Sequence, residues 1–468
     1  MIYLVTKQTA LFNDNKYKII DVQGSLNLLE KLTFIGVDTE TSGLDPHVDE
    51  LLSVQMGCED FQVVVDCVTI NIQNYKPILE NQEKVLIFWN AKFDLKWLFK
   101  YKIVPYKVYD GYLAERLLWL GYPPGTHSMS LKTAGEYYLG IEMDKAVRGQ
   151  IVRKGFNSTE AVQYAADDVK YLEKIKDEQK TFLKVKGLLT AIEYENSFVL
   201  PLAYMEFCGV HIDTDKWRFK MLKDQERYDL SKNALDKWLI INMPDSKYIF
   251  TDTQGDLFTG FNLEPQVSIN WNSAQQVIPL FKQLGVNVET KDKAKGGNKD
   301  SVDAKLLKPQ KDKCSLIPLY LKYREAQKVV STYGENFLEQ INPTTERLYT
   351  NYSQLGADTT RITSGGTDKA TGKEYVNLLN LPADAETRAC FTAEKGNRWI
   401  SIDYSGQETY LMASIANDKA IIEELTNGSG DIHSLTAYMS YKEIPRDTAI
   451  KDIKKKYHNL RQDAKGIE

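Results

Sequence analysis

Over the first 185 or so residues, short apolar runs alternate with longer stretches in which apolar positions recur every three or four residues. Phe34 to Val37, Val63 to Val65 and Val85 to Phe88 are short enough to be strands, and the stretches between them carry the single apolar stripe of an amphipathic helix. That rhythm predicts an α/β layer domain. From about Ala191 to Gln340 the period is mostly helical, interrupted by the polar, Gly- and Lys-rich stretch Thr290 to Asp300, which reads as a loop or an insertion. Beyond Thr350, short apolar runs and Gly-rich turns return, and Trp399 to Ile402 reads as a strand leading into Asp403. Three regions follow from this pattern: residues 1–187, 188–345 and 346–468.

A chain of 468 residues can bury a separate core in each of two or three domains. With 43% hydrophobic and 26% charged residues, large-scale disorder is excluded. The net charge of −5 does not announce a nucleic-acid binder, because phosphate contacts depend on local Lys and Arg clusters. Two clusters qualify, Arg148 to Lys154 and the set Lys451, Lys454, Lys455 and Lys456, although a charge run is usually a solvated face. Five scattered cysteines offer neither zinc nor disulfide spacing, which fits a reducing, cytoplasmic setting. The amino terminus lacks a secretory signal and no stretch of ~18 apolar residues occurs, so a soluble protein without membrane contact is expected.

Candidate chemistry begins at Phe34-Ile35-Gly36-Val37-Asp38-Thr39-Glu40, where a strand ends in two acids two residues apart and therefore on one face. Their mutual repulsion is costly unless solvent or a cation compensates, and hard divalent ions prefer such oxygen ligands. An exposed strand end is the other reading of this pair. Asn90-Ala91-Lys92-Phe93-Asp94 follows the strand Val85 to Trp89 and opens a helix, where Asn90 reads as a cap and Asp94 as a first-turn acid. In Tyr164-Ala165-Ala166-Asp167-Asp168, Tyr164 and Asp168 share a helix face, whereas Asp167 points elsewhere.

Together these three segments resemble, in order and spacing, the exonuclease motifs of proofreading DNA polymerases and related DnaQ-like nucleases. The resemblance implies a ribonuclease H-like fold in which Asp38, Glu40, Asp94 and Asp168 hold two Mg²⁺ or Mn²⁺ ions. It also implies that Tyr164 orients the attacking water and that Asn90 and Phe93 position the single-stranded 3′ end of DNA.

The remainder resembles the polymerase domain of family A, the bacterial polymerase I-like enzymes. Asn196 to Asp213 is similar to the start of that domain and Tyr323 to Gly334 to its thumb-to-palm segment, with Arg324, Lys328 and Tyr333 in familiar places. Thr359-Thr360-Arg361 stands where the family has Thr-Gly-Arg, and Asn377-Leu378-Leu379-Asn380-Leu381-Pro382 where it has Asn-Leu-Gln-Asn-Ile-Pro. Arg361 would then reach the primer–template minor groove. Asp403-Tyr404-Ser405-Gly406-Gln407-Glu408 matches motif A. By that match Asp403, with Tyr404, would ligate metal, and Glu408 would exclude a ribose 2′-OH. Its Gly406-Gln407 departs from the Gln-Ile of cellular enzymes and suggests a phage enzyme. Asp431-Ile432-His433 resembles the segment whose His lies near the incoming dNTP, and Arg461 and Lys465 resemble the phosphate-facing pair that opens motif B.

The rest of motif B and motif C are not found. An incomplete right-hand polymerase domain is therefore expected, with a helical thumb, part of the palm and the start of the fingers. A second, C-terminal polypeptide or a missing C-terminal part would complete it. On this reading the chain degrades DNA from 3′ ends but does not extend a primer alone. Other readings are an interruption by a gene boundary, intron or intein, a stand-alone exonuclease whose second half only binds primer–template, and an RNA-directed exonuclease of the ribonuclease D type. No 5′ nuclease domain is expected.

Overall fold

The computed structural model describes residues 1–8, 16–123, 125–142, 159–251, 265–291, 297–357, 359–367, 372–404 and 406–466. The chain is mixed α/β and divides into two compact units, Met1–Thr392 and Ala393–Glu468. Among the described residues no helix is long and apolar enough to cross a membrane.

Seven strands form the largest sheet of the first unit: β1 (Ile2–Val5), β2 (Tyr17–Ile19), β3 (Phe34–Thr41), β4 (Leu51–Gly57), β5 (Gln62–Asp66), β6 (Val85–Phe88) and β7 (Val108–Asp110). Their order is β2-β1-β5-β4-β3-β6-β7, with β4 antiparallel to both neighbours and every other pair parallel. The three apolar runs anticipated as strands lie in β3, β5 and β6. Burial on both faces explains why they are continuous rather than alternating.

The strand period sorts side chains between two cores. Val63 and Val65 belong to the larger one and Val64 to the smaller. Ile35 and Val37 of β3 join the larger core with Leu95 and Leu98 of helix Ala91–Lys100. Gly36, Asp38 and Glu40 therefore project to the opposite face, which helix Thr159–Lys170 crosses over β1, β5, β4 and β3. That helix lies close because Ala161, Ala165 and Ala166 are its buried small residues, while Val162 and Val169 each contribute about 1.5–3 kcal/mol by burial.

The same unit continues through helix Leu189–Cys208, which packs on helix Ala91–Lys100. Buried Glu206 accepts from Lys92 Nζ at 2.6 Å, Lys96 Nζ at 3.0 Å and the Tyr352 backbone N–H at 2.6 Å. This network fastens the helix after β6 to the segment that leads to Arg361. The long helices Thr214–Asn242 and Leu316–Tyr333 pack around Leu235, Leu239, Trp271, Phe281, Tyr320 and Tyr323. Trp217 stacks on Phe337 at 3.9 Å, and Tyr333 donates its hydroxyl to Asn380 O at 2.9 Å. The stretch read as a loop is bounded by a hairpin: Glu289–Lys291 pairs antiparallel with Asn298–Asp300, and residues 292–296 lie outside the described residues.

In the second unit the described elements are helices: Gln407–Ala416, Lys419–Thr426, Ile432–Ser440, Ile450–Lys456 and His458–Ala464. Ala437, Ile444, Ile453 and Ala464 form their core. The strand expected at Trp399 to Ile402 does not form, and Trp399, Ile400 and Ile402 are exposed. A strand needs a partner for its N–H and C=O groups, and among the described residues this unit offers none. Lys451, Lys454, Lys455 and Lys456 lie exposed on or at the end of one helix, with Lys456 paired to Asp452 at 3.1 Å. Residues 148–154, the other basic cluster, lie outside the described residues.

Candidate functional site

Three acids meet at the carboxyl end of β3. One carboxylate oxygen each from Asp38, Glu40 and Asp168 lies within 4.8 Å of the other two. Asp38 and Asp168 are half-buried and Glu40 is buried. Alternation along β3 supplies the first two, and helix Thr159–Lys170 brings Asp168 over them. The approach depends on Gly36, where a Cβ would lie 2.6 Å from the carbonyl oxygen of Val169, the residue after Asp168. Gly36→Ala has to push this helix away. It should cost about 1–3 kcal/mol of stability and, if the shift is near 1 Å, about 100-fold in any reaction that uses the three acids together. Thermal unfolding and single-turnover rates read the two effects separately; an unchanged rate in the folded variant would exclude this role of the glycine.

Can the group hold a metal? Oxygens sharing one small cation at about 2.1 Å lie about 3.0 Å apart when adjacent and about 4.2 Å when opposite, so oxygens within 4.8 Å of one another can converge on one ion by modest side-chain adjustment. All three ligands are hard oxygen donors, and without a cation their charges repel. The residues fit a divalent ion.

Asp94 is placed differently. It does not belong to the group of three, and accepts instead from Thr39 Oγ1 at 2.7 Å. Thr39 lies between Asp38 and Glu40 on β3, with its side chain toward the face on which helix Ala91–Lys100 packs. Burial pushes the Asp94 carboxyl up to about 8, against the hydrogen bond from Thr39. Its value in the unfolded chain is about 3.9, so between the two the folded protein holds a proton that the unfolded chain has released. The stability this group confers is full below about pH 4 and declines as pH rises toward 8. Asp94→Asn abolishes the dependence. In metal-free protein the stability difference, wild type minus variant, should fall between about pH 4 and 8 by denaturant titration, and a constant difference would contradict this placement of Asp94.

Asn90 occupies the start of helix Ala91–Lys100 in the left-handed conformation, with φ 70° and ψ 54°, and its side chain makes no capping bond. The expectation that it caps the helix is therefore corrected: the left-handed turn carries the side chain away from the amide groups it would cap. Exposed Asn90 and half-buried Phe93 line a cleft of about 260 Å³ with Lys92, Lys96, Asp110 and Tyr352. Tyr164 is buried in the smaller core with Ile2, Leu4 and Tyr17. Asp167 accepts from Gln163 of its own helix at 3.1 Å.

In the polymerase-like part, Arg361 is exposed in the first unit. In the second unit Asp403 and Tyr404 are exposed and irregular, and Glu408 is exposed in the first turn of its helix. His433 sits in helix Ile432–Ser440. Arg461 donates to both carboxylate oxygens of Asp431, at 2.8 and 3.0 Å, and to Ser434 Oγ at 3.2 Å. Lys465 is exposed at the end of the Arg461 helix. Reading the sequence missed Thr39, Gly36 and the Asp431–Arg461 pair, each of which shows only once distant segments meet.

Comparison with known proteins agrees with this architecture. Residues 18–183 match the family described as 3′-5′ exonuclease, and residues 260–467 match DNA polymerase family A. DNA polymerase I of Borreliella burgdorferi is 27% identical over 480 residues, covering 96% of this chain and 46% of that protein. The DNA polymerase of Escherichia phage T5 is 26% identical over 472 residues, covering 92% of this chain and 51% of that protein. The chain thus spans about half the length of these relatives. Its fold resembles the POL domain of Pol1 from M. smegmatis in complex with DNA primer-template and dNTP, with a TM-score of 0.69 at 19% identity, covering 98% of this chain and 70% of that one. Residues 260–467 thus belong to DNA polymerase family A, and residues 18–183 to the 3′-5′ exonuclease family.

Proposed function

We propose that residues 1–187 are a proofreading centre that removes nucleotides from DNA 3′ ends with the help of two divalent cations, Mg²⁺ or Mn²⁺. The observation that carries this reading is the convergence of Asp38, Glu40 and Asp168 on one point. Bound cations would supply neutralisation of the scissile phosphate and acidification of a water. Asp38, Glu40 and Asp168 would hold them together with Asp94, whose carboxylate is anchored on Thr39. Tyr164, on the Asp168 helix, orients the water, while Asn90 and Phe93 hold the terminal nucleotides at the mouth of their cleft. The test uses single-stranded DNA and matched RNA labelled at the 5′ end, with Mg²⁺ and with chelator. A metal-dependent ladder shortening from the 3′ end of DNA supports the reading. Preference for RNA favours the ribonuclease D type, and no degradation of either refutes both.

We infer further that residues 188–345 form a thumb-like region and 346–468 the first part of palm and fingers. Arg361 would contact primer–template, and His433, Arg461 and Lys465 the incoming dNTP. Asp403 and Tyr404 would hold metal, with Glu408 as the gate against ribose. Asp403 belongs to no group of three acids among the described residues, and the apolar side chains of Trp399, Ile400 and Ile402 beside it are exposed. Both observations support a palm completed by further polypeptide. A role in which this half only binds primer–template remains the rival, and Asp403→Ala in a completed enzyme separates the two.

A further inference from the structure

A carboxylate outside all three exonuclease motifs organises the second of them. Asp110, at the end of β7, is buried. Its Oδ1 accepts from the backbone N–H groups of Asn90 and Tyr112, and its Oδ2 from that of Ala91, all at 2.9 Å. Left-handed Asn90 followed by helical Ala91 turns two successive N–H groups toward one point. Such a pair forms a concave anion-binding nest, here at the positive end of a ten-residue helix. The nest is filled from within the protein. Asp110 simultaneously caps helix Gly111–Leu118 through Tyr112, and its own N–H donates to Asn196 Oδ1 at 3.0 Å on helix Leu189–Cys208. Close approach is possible because residue 111 is glycine: a Cβ there would lie 2.7 Å from the Trp89 ring.

We propose that Asp110 is a positioning residue of the exonuclease centre, setting Asn90, Phe93 and Asp94 against the group formed by Asp38, Glu40 and Asp168. The inference rests on the nuclease reading of that group. A left-handed asparagine is a strained conformation that persists only where its surroundings hold it. Asp110 supplies the hold through hydrogen bonds to both amides of the turn. Phe93 and Asp94 follow within the first helical turn, so a relaxed turn at Asn90 displaces the groups that hold the DNA end and the carboxylate anchored on Thr39.

Asp110→Asn keeps size and one acceptor oxygen but turns an N–H donor toward an N–H of the nest. Three readouts are taken on the full chain: hydrogen exchange in a peptide spanning residues 89–93 without metal, kcat and KM on 3′-labelled single-stranded DNA, and the Mg²⁺ concentration for half-maximal rate. The control is Ser130→Ala, which removes the cap of helix Leu131–Leu139, where Ser130 Oγ accepts from Thr133 N–H at 3.1 Å. The expected result for Asp110→Asn is exchange and kcat each changed by about tenfold or more, with a higher Mg²⁺ requirement. Ser130→Ala should lower stability and leave all three readouts in place. If Asp110→Asn does not fold, Asp110→Glu, which keeps the charge and misplaces it, is measured in the same way. Folded Asp110→Asn with exchange, kcat and Mg²⁺ midpoint within twofold of wild type overturns the proposal. A wild-type chain without metal-dependent degradation sinks the nuclease reading instead, while the exchange readout still decides whether Asp110 holds the turn.

Discussion

Alanine at both Asp38 and Glu40 should stop metal-dependent shortening of DNA 3′ ends, lowering the rate by roughly three orders of magnitude or more, while the chain stays folded and bound to DNA. The two acids lie on one face of β3, and with Asp168 they make the group of three able to take a divalent ion. Removing two of three ligands leaves too little charge to hold a cation against its hydration. Folding should not suffer in proportion. Like charges in a partly buried group repel, and their removal relieves that repulsion in metal-free protein. Thermal unfolding without metal is therefore expected to be unchanged or slightly higher, whereas the stabilisation that Mg²⁺ gives the wild type should disappear. Substantial degradation by the double variant would place the chemistry elsewhere.

Primer extension by this chain alone should stay at background, and it should appear when polypeptide carrying the remaining palm and fingers is added. Asp403 then becomes indispensable: Asp403→Ala should abolish restored extension while leaving 3′ degradation at the wild-type rate. The grounds are chemical. Phosphoryl transfer rests almost wholly on positioning and on cations that neutralise developing charge. Among the described residues Asp403 joins no acidic group able to hold one. Among the described residues no strand fixes it either, since Trp399 to Ile402 is irregular and exposed. Efficient extension by the chain alone would contradict this account of the palm.

Much of the nuclease half was legible in the sequence because its signals are local. The period-2 pattern of Phe34 to Glu40 put Asp38 and Glu40 on one face, and the four-residue spacing put Tyr164 and Asp168 on one helix. What escaped depends on contacts between distant segments. Nothing in Val37-Asp38-Thr39 says that Thr39 donates to a carboxylate 55 residues away. Gly36 reads as a neutral strand residue until Val169 arrives above it. Asp110 left a faint trace, an acid before glycine at the head of a helical stripe, which is a cap signal but says nothing of Asn90. Asn90 itself misled, because its residue type fits both a cap and a left-handed turn, and the structure uses the second. In the other half, apolar composition at Trp399 to Ile402 predicts a strand correctly only where a neighbouring strand exists to pair with it.

Asp38, Glu40 and Asp168 should trap divalent cations in the folded chain. Crystals of the full chain soaked in Mn²⁺ and measured by anomalous diffraction would locate them. A peak is expected at coordination distance, about 2.0–2.3 Å, from carboxylate oxygens of all three residues, lost in Asp168→Asn. Degradation-competent protein with no peak there, or with its manganese bound elsewhere, would contradict the three-acid site.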